Sequence, residues 1–143
     1  MATRSLIGLQ CDDHIKYVYC HWDGYPSHNG QILSDHYKDR AKVEKLISLG
    51  DLSVLQPEIG KSNDFDIDNR IEGVCLFYGR DRGEQNIDYR TCNDSNQFIE
   101  VGNNVGVHYV YLFQNGNWLV SNTYDDAQYE SAEIAANREN ELC

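Results

Sequence analysis

Val107-His108-Tyr109-Val110-Tyr111-Leu112-Phe113-Gln114-Asn115-Gly116-Asn117-Trp118-Leu119-Val120-Ser121-Asn122-Thr123 reads as two strands joined by a two-residue turn. Asn-Gly between β-branched and aromatic runs is the strongest short hairpin signal, because a turn that follows the strand twist needs positive φ at both central positions. The stretch therefore puts an antiparallel pair, Val107–Gln114 against Asn117–Thr123, into the fold. Outward from it, Thr3–Gln10 and Ile15–His21 read as a second hairpin across Cys11-Asp12-Asp13-His14, whose aspartates suit a turn. Ile15, Tyr17 and Tyr19 share one face of that second strand, and Val18 and Cys20 the other. Val74–Tyr78 is apolar on both parities, the pattern of a central strand.

Two helical segments follow the Thr3–His21 hairpin. Ser27 is the candidate N-cap of the first, with Ile32, Leu33, His36 and Tyr37 on one face and Gly30 weakening its first turn. Asp39 caps the second, which turns Val43, Leu46 and Ile47 inward and stops at Gly50. Residues 51–64 read as a loop and residues 85–105 as polar and poorly periodic. The expected fold is one α+β domain over residues 1–143, an antiparallel sheet of about five strands with two consecutive helices packed on it. Residues 125–143 read either as an acidic C-terminal helix or as a frayed acidic tail.

The chain has 143 residues, of which 41% are hydrophobic and ten are Tyr, so it can build a packed core. No apolar run reaches the ~18–20 residues of a membrane span, and the N-terminal apolar stretch is too short for a signal peptide. The five cysteines are odd in number and lack CxxC spacing, which predicts reduced thiols and a cytoplasmic setting. Charge is the loudest signal. Lys and Arg total 12 against 23 Asp and Glu, a net charge of −11. Residues 1–57 carry seven acids and six bases, whereas residues 58–143 carry sixteen acids and six bases. Such a chain repels phosphate backbones and is suited instead to a basic, nucleic-acid-binding face of another protein.

Three constellations could carry chemistry or binding. In His21-Trp22-Asp23-Gly24-Tyr25-Pro26, His21 is a candidate acid/base and Asp23 its orienter or a metal ligand, while Trp22 and Tyr25 could contact a ligand; the alternative is a structural turn in which Asp23 bonds local backbone and Trp22 and Tyr25 cover the core. In Gly79-Arg80-Asp81-Arg82-Gly83-Glu84, Arg80 and Arg82 could clamp an anion, with Asp81 completing a ligand site and Glu84 a further catalytic candidate, or all four could satisfy one another as an ion-pair network. Asp64-Phe65-Asp66-Ile67-Asp68-Asn69 imitates the first half of a calcium loop, but Asn69 replaces the turn glycine and Cys75 the bidentate glutamate. No metal and no cofactor are expected. His108, in an apolar strand, reads as a satisfied core histidine.

Ala2-Thr3-Arg4-Ser5-Leu6-Ile7-Gly8, Tyr19-Cys20-His21-Trp22-Asp23-Gly24-Tyr25-Pro26 and Leu46-Ile47-Ser48-Leu49-Gly50-Asp51-Leu52-Ser53 together resemble a family of small bacteriophage and prophage proteins. Arg80-Asp81-Arg82-Gly83-Glu84, Tyr109–Phe113 and Gly116-Asn117-Trp118 extend the resemblance. It implies a virus-encoded protein acting inside a bacterial cell, and it brings no activity with it. The expectation is an accessory protein that binds and inhibits a host defence component, in the manner of anti-CRISPR or anti-restriction proteins. Its expected contacts are Asp64, Asp66, Asp68, Asp125, Asp126, Glu130 and Glu133, opposing Lys and Arg of the target. The alternative is a small nucleotide-acting enzyme, or a nucleotide-sequestering protein, using the His21–Pro26 and Arg80–Glu84 loops.

Overall fold

Asn115 and Gly116 both take positive φ, 53° and 79°, in the computed structural model, which describes residues 2–124 and 127–141. The strands are β1 (Ser5–Gln10), β2 (Ile15–Cys20), β3 (Leu52–Val54), β4 (Leu76–Phe77), β5 (Arg90–Cys92), β6 (Tyr109–Gln114), β7 (Asn117–Asn122) and β8 (Glu130–Ser131). The helices are α1 (Gln31–His36), α2 (Arg40–Ser48), α3 (Tyr78–Arg82), α4 (Ser95–Val105) and α5 (Ala132–Glu141), with one π-helical turn, Pro26–Gly30, leading into α1.

The fold is α+β, but among the described residues the sheet has eight strands and is mixed, not a five-stranded antiparallel one. Its order is β4-β3-β2-β1-β6-β7-β8, and β5 pairs with the start of β2, at Ile15–Tyr17, where β3 does not reach. Both expected hairpins form, β1 with β2 and β6 with β7. They abut in parallel, Ser5 opposite Tyr109 through Leu9 opposite Phe113, and β2 meets β3 in parallel at Cys20 and Leu52. Turn chemistry dictates pairing inside a hairpin and is silent on how two hairpins dock. The parallel seam lies where both sheet faces are covered, as parallel strands require.

Ile7, Leu9, Val18 and Cys20 face α1, α2 and α5 in one core, joined by Tyr37, Tyr111 and Trp118. Leu6, Ile15, Tyr17, Val110 and Leu112 face Phe98 of α4 in a second core on the opposite side. Three buried polar anchors join the layers. Trp118 Nε1 donates to the Tyr37 carbonyl at 2.8 Å, Tyr37 Oη to the Gln56 carbonyl at 2.8 Å, and Tyr111 Oη to the Gly24 carbonyl at 2.6 Å.

Several local expectations are corrected. Val74–Tyr78 is not a central strand: only Leu76 and Phe77 join the sheet, at its edge, while Val74 makes an isolated bridge to Glu58, and Cys75 is buried because Tyr37 and Gln56 pack on it. The first helix has no Ser27 cap; the chain enters through the π-helical turn, which buries Pro26 and Asn29, and His36 points to solvent. His108 is half-buried, and its Nδ1 has no hydrogen-bond partner among the described residues. Asp39 does cap α2, accepting from the Ala41 N–H, and Gly50 ends it at φ 85°. Of the two readings of the tail, residues 132–141 form a helix, whose Ala132, Ala135 and Ala136 are buried. Cys11, Cys20, Cys75 and Cys92 are free thiols. Among the described residues, no helix is long and apolar enough to cross a membrane.

Candidate functional site

Residues 78–82 wind into α3 rather than an open loop, closed by Gly83 in the left-handed region at φ 71°. One helical turn cannot aim neighbouring side chains at the same place, and here it sends them to opposite destinations. Arg80 turns inward. Its five N–H groups reach the carbonyls of Ile59, Gly60 and Cys75 and both oxygens of Asp81, at 2.8–3.1 Å. The Asp81 side chain is fully buried and that of Arg80 is 13% exposed. Asp81 also accepts from the Asn63 and Phe77 backbone N–H groups at 2.8 Å. Both residues are therefore saturated by the fold, and no N–H of Arg80 is left for an anion. Arg82 turns outward, lies over the rings of Phe65 and Tyr78 at 4.4 and 5.0 Å, and pairs with Glu84.

The His21–Pro26 stretch is a turn wedged under the sheet. Asp23 takes φ 57°, which Asp tolerates better than most residues. Gly24 leaves no room for a side chain: a Cβ there would lie 2.9 Å from the Thr3 carbonyl and from Ser5 Cβ. The structure does not join His21 to Asp23 by a hydrogen bond. His21 Nδ1 lies 2.7 Å from Tyr19 Oη, and Asp23 accepts from Tyr25 Oη at 3.4 Å. Trp22 stands edge-on to His21 at 4.8 Å and is partly exposed.

The two motifs lie at the same end of the sheet, with β3 between the strands that lead into them. β2 continues past Cys20 as His21 and Trp22 donate to the Leu52 and Ser53 carbonyls, and β3 pairs with β4, which runs into α3. Tyr19 lies against His21, and Tyr78 lies under Arg82 beside Phe65. Burial raises the Tyr19 hydroxyl above its ordinary value, Arg4 opposing and Tyr78 adding to it. Burial likewise raises that of Tyr78, with Ser53 and Arg82 opposing. Asp51 ties this end together, its carboxylate accepting from the Tyr19 N–H at 2.9 Å and from Arg90 at 2.6 Å. Tyr19, Phe65 and Tyr78 are not among the site residues expected from the sequence. Their signal was an aromatic placed next to each charged motif.

The acidic candidates fall into two groups at opposite edges of the sheet. Asp64, Asp66 and Asp68 lie on the exposed loop beside β4. Each of the first two accepts the backbone N–H two residues on, at 2.9 and 3.0 Å. Asn63 anchors the loop, its Nδ2 donating to the Ile71 and Val74 carbonyls and its Oδ1 accepting from the Asp64 and Ile71 N–H groups. Ile67 and Ile71 project from the same loop, 75% and 53% exposed. Glu130 and Glu133 belong to the β8–α5 edge, where Glu130 is held by Arg138 at 2.6 Å. Asp125 and Asp126 lie outside the described residues.

Among the described residues, no group of three or more His, Cys, Asp or Glu side chains is arranged to hold a metal ion. Scans of family models, of curated proteins and of solved structures found no match to this chain.

Proposed function

We propose that this chain is a phage-encoded accessory protein that binds a host defence protein and blocks its basic, nucleic-acid-binding face. The observation that carries this reading is the 63–71 loop. It presents three carboxylates and two exposed isoleucines in one short segment, already fixed by the Asn63 and Asp81 hydrogen bonds. An interface needs apolar anchors inside a polar rim, and a segment ordered before binding loses less entropy when it docks. The carboxylates supply steering toward lysines and arginines. The nucleotide-acting and nucleotide-sequestering alternatives lean on Arg80 and Arg82 together as a phosphate clamp; with every donor of Arg80 spent inside the fold and Arg82 paired with Glu84, the clamp they need has less support.

The test is capture of partners from a nuclease-treated bacterial lysate with the tagged protein and with a variant carrying Asp64→Asn, Asp66→Asn and Asp68→Asn. Asn retains the oxygen that accepts the loop's backbone N–H groups and removes the charge. One stoichiometric partner is expected, released by about 0.5 M salt and bound at least about tenfold more weakly by the variant. That partner is expected to lose its nucleic-acid binding when complexed. A complex indifferent to salt and to the three substitutions overturns the reading.

A further inference from the structure

A hollow of about 230 Å³ lies where the 63–71 loop returns to the sheet edge beside β3 and β4. Its apolar wall is aliphatic throughout: Val54 of β3, Leu76 of β4, Val74 just before it, and Ile67 and Ile71 of the loop. Leu76 is buried, Val54 and Val74 are half-buried, and the two isoleucines stand in solvent. Neither isoleucine belongs to either core. Large aliphatic side chains left open around one concavity mark a docking surface.

The rim of the hollow is acidic. Residues 64–72 hold Asp64, Asp66, Asp68 and Glu72 against Arg70, four acids to one base, a net charge of −3. Arg70 also lines the hollow, but its guanidinium is turned back on the loop. Its Nη2 donates to the Phe65 carbonyl at 2.8 Å and its Nε to the Asp64 carbonyl at 3.4 Å. An apolar centre inside a negative rim complements an apolar side chain flanked by lysines or arginines.

Pairing with an added strand is a poor way to dock at this edge. The Phe77 N–H is already taken by Asp81 at 2.8 Å, the Cys75 N–H by the Glu58 carbonyl at 2.9 Å, and the Cys75 carbonyl by Arg80 at 3.1 Å. An incoming strand would find these backbone groups spent, which leaves insertion of a side chain as the mode of recognition.

We propose that this hollow receives one large aliphatic side chain, the size of leucine, from a basic segment of the partner protein. The proposal rests on the reading of the 63–71 loop as the binding element. It adds the cavity that the loop encloses and the chemistry that the cavity selects, an apolar residue set between cations.

The test needs no partner. The pentapeptides acetyl-KKLKK-amide and acetyl-KKSKK-amide, equal in charge, are titrated at low salt into the 15N-labelled protein. The leucine peptide is expected to shift the amides of Val54, Gly73 and Leu76 saturably, and the serine peptide to bind at least about tenfold more weakly. Ile71→Ser, an exposed change that leaves both cores and the Asn63 contacts to the Ile71 backbone in place, is expected to weaken the leucine peptide and to leave the serine peptide unchanged. Asp64→Asn, Asp66→Asn and Asp68→Asn together are expected to weaken both peptides alike. Equal binding of the two peptides, no saturable shift at those amides, or an unchanged leucine response in Ile71→Ser overturns the proposal. Equal binding that the three Asn substitutions abolish leaves the acidic loop as a binder of basic faces and removes only the cavity. Selective leucine binding with no partner captured from lysate keeps the cavity and overturns the defence-protein reading.

Discussion

Arg80 and Arg82 are two residues apart and have opposite fates. Arg80 and Asp81 form a buried, fully hydrogen-bonded pair that holds the 59–77 segment against α3. Removing one member strands the other charge without its partner, which costs about 3–5 kcal/mol. Asp81→Ala is therefore expected to lower the urea midpoint steeply, and to raise amide exchange over residues 59–77 first. Arg82→Ala, at a half-exposed pair, is expected to cost at most about 1 kcal/mol. Matched unfolding curves of the two variants decide it, and equal losses would refute the assignment. Sequence presented Arg80-Asp81-Arg82-Gly83-Glu84 as one charged motif because composition carries no direction. Which arginine turns inward depends on carbonyls contributed by Ile59, Gly60 and Cys75, and only the folded chain brings those together.

At the scale of elements, a feature is legible where a few adjacent residues decide it. The Asn115-Gly116 hairpin, the Asp39 cap and the Gly50 stop each depend on a few adjacent residues, and each is present. The parallel seam between β1 and β6 joins residues about a hundred apart, for which the chain carries no local signal. α4 is a different case, since its marks were there. Asp94 accepts from the Gln97 N–H, Gln97 reaches back to the Asn93 N–H, and Gly106 ends the helix at φ 82°. The polar run of asparagines hid these caps, because only Phe98 and Gly102 of the helix are fully buried. Gly102 makes a sharp test. Helix propensity alone favours alanine there by about 1 kcal/mol. However, a Cβ would sit 2.7 Å from Val110 Cγ1 and 2.9 Å from Thr123 Cγ2. Crowding is expected to win, so that Gly102→Ala destabilises by about 1–3 kcal/mol. A rise in melting temperature would show that α4 does not pack on β6 as described.

The whole molecule adds an alkaline limit to its stability. Burial pushes the Cys20 thiol from 9.0 up to about 12 and the Cys92 thiol up to about 11. Both are raised in the folded state, so their contribution is complete below pH 9.0, where folded and unfolded chains alike hold the proton. Above that the unfolded chain releases protons that the folded chain keeps, and stability falls as pH climbs toward the folded values. Cys20 is wholly buried, and its share is about 1.4 kcal/mol per pH unit, or about 2 kcal/mol by about pH 10.5. Burial raises Tyr37 and Tyr111 in the same direction, and they join in above pH 10.0. The loss is steep because a chain at −11 gains further negative charge from each of these groups as it unfolds. Urea midpoints from pH 7 to pH 10.5 measure it directly. Cys20→Ala is expected to begin lower at pH 7, from its cavity, and to decline less steeply above pH 9, so that the two curves converge. Parallel curves would mean that the Cys20 thiol is no more protected in the folded chain than in the unfolded one, and that the core around Tyr37, Cys75 and Cys20 admits water.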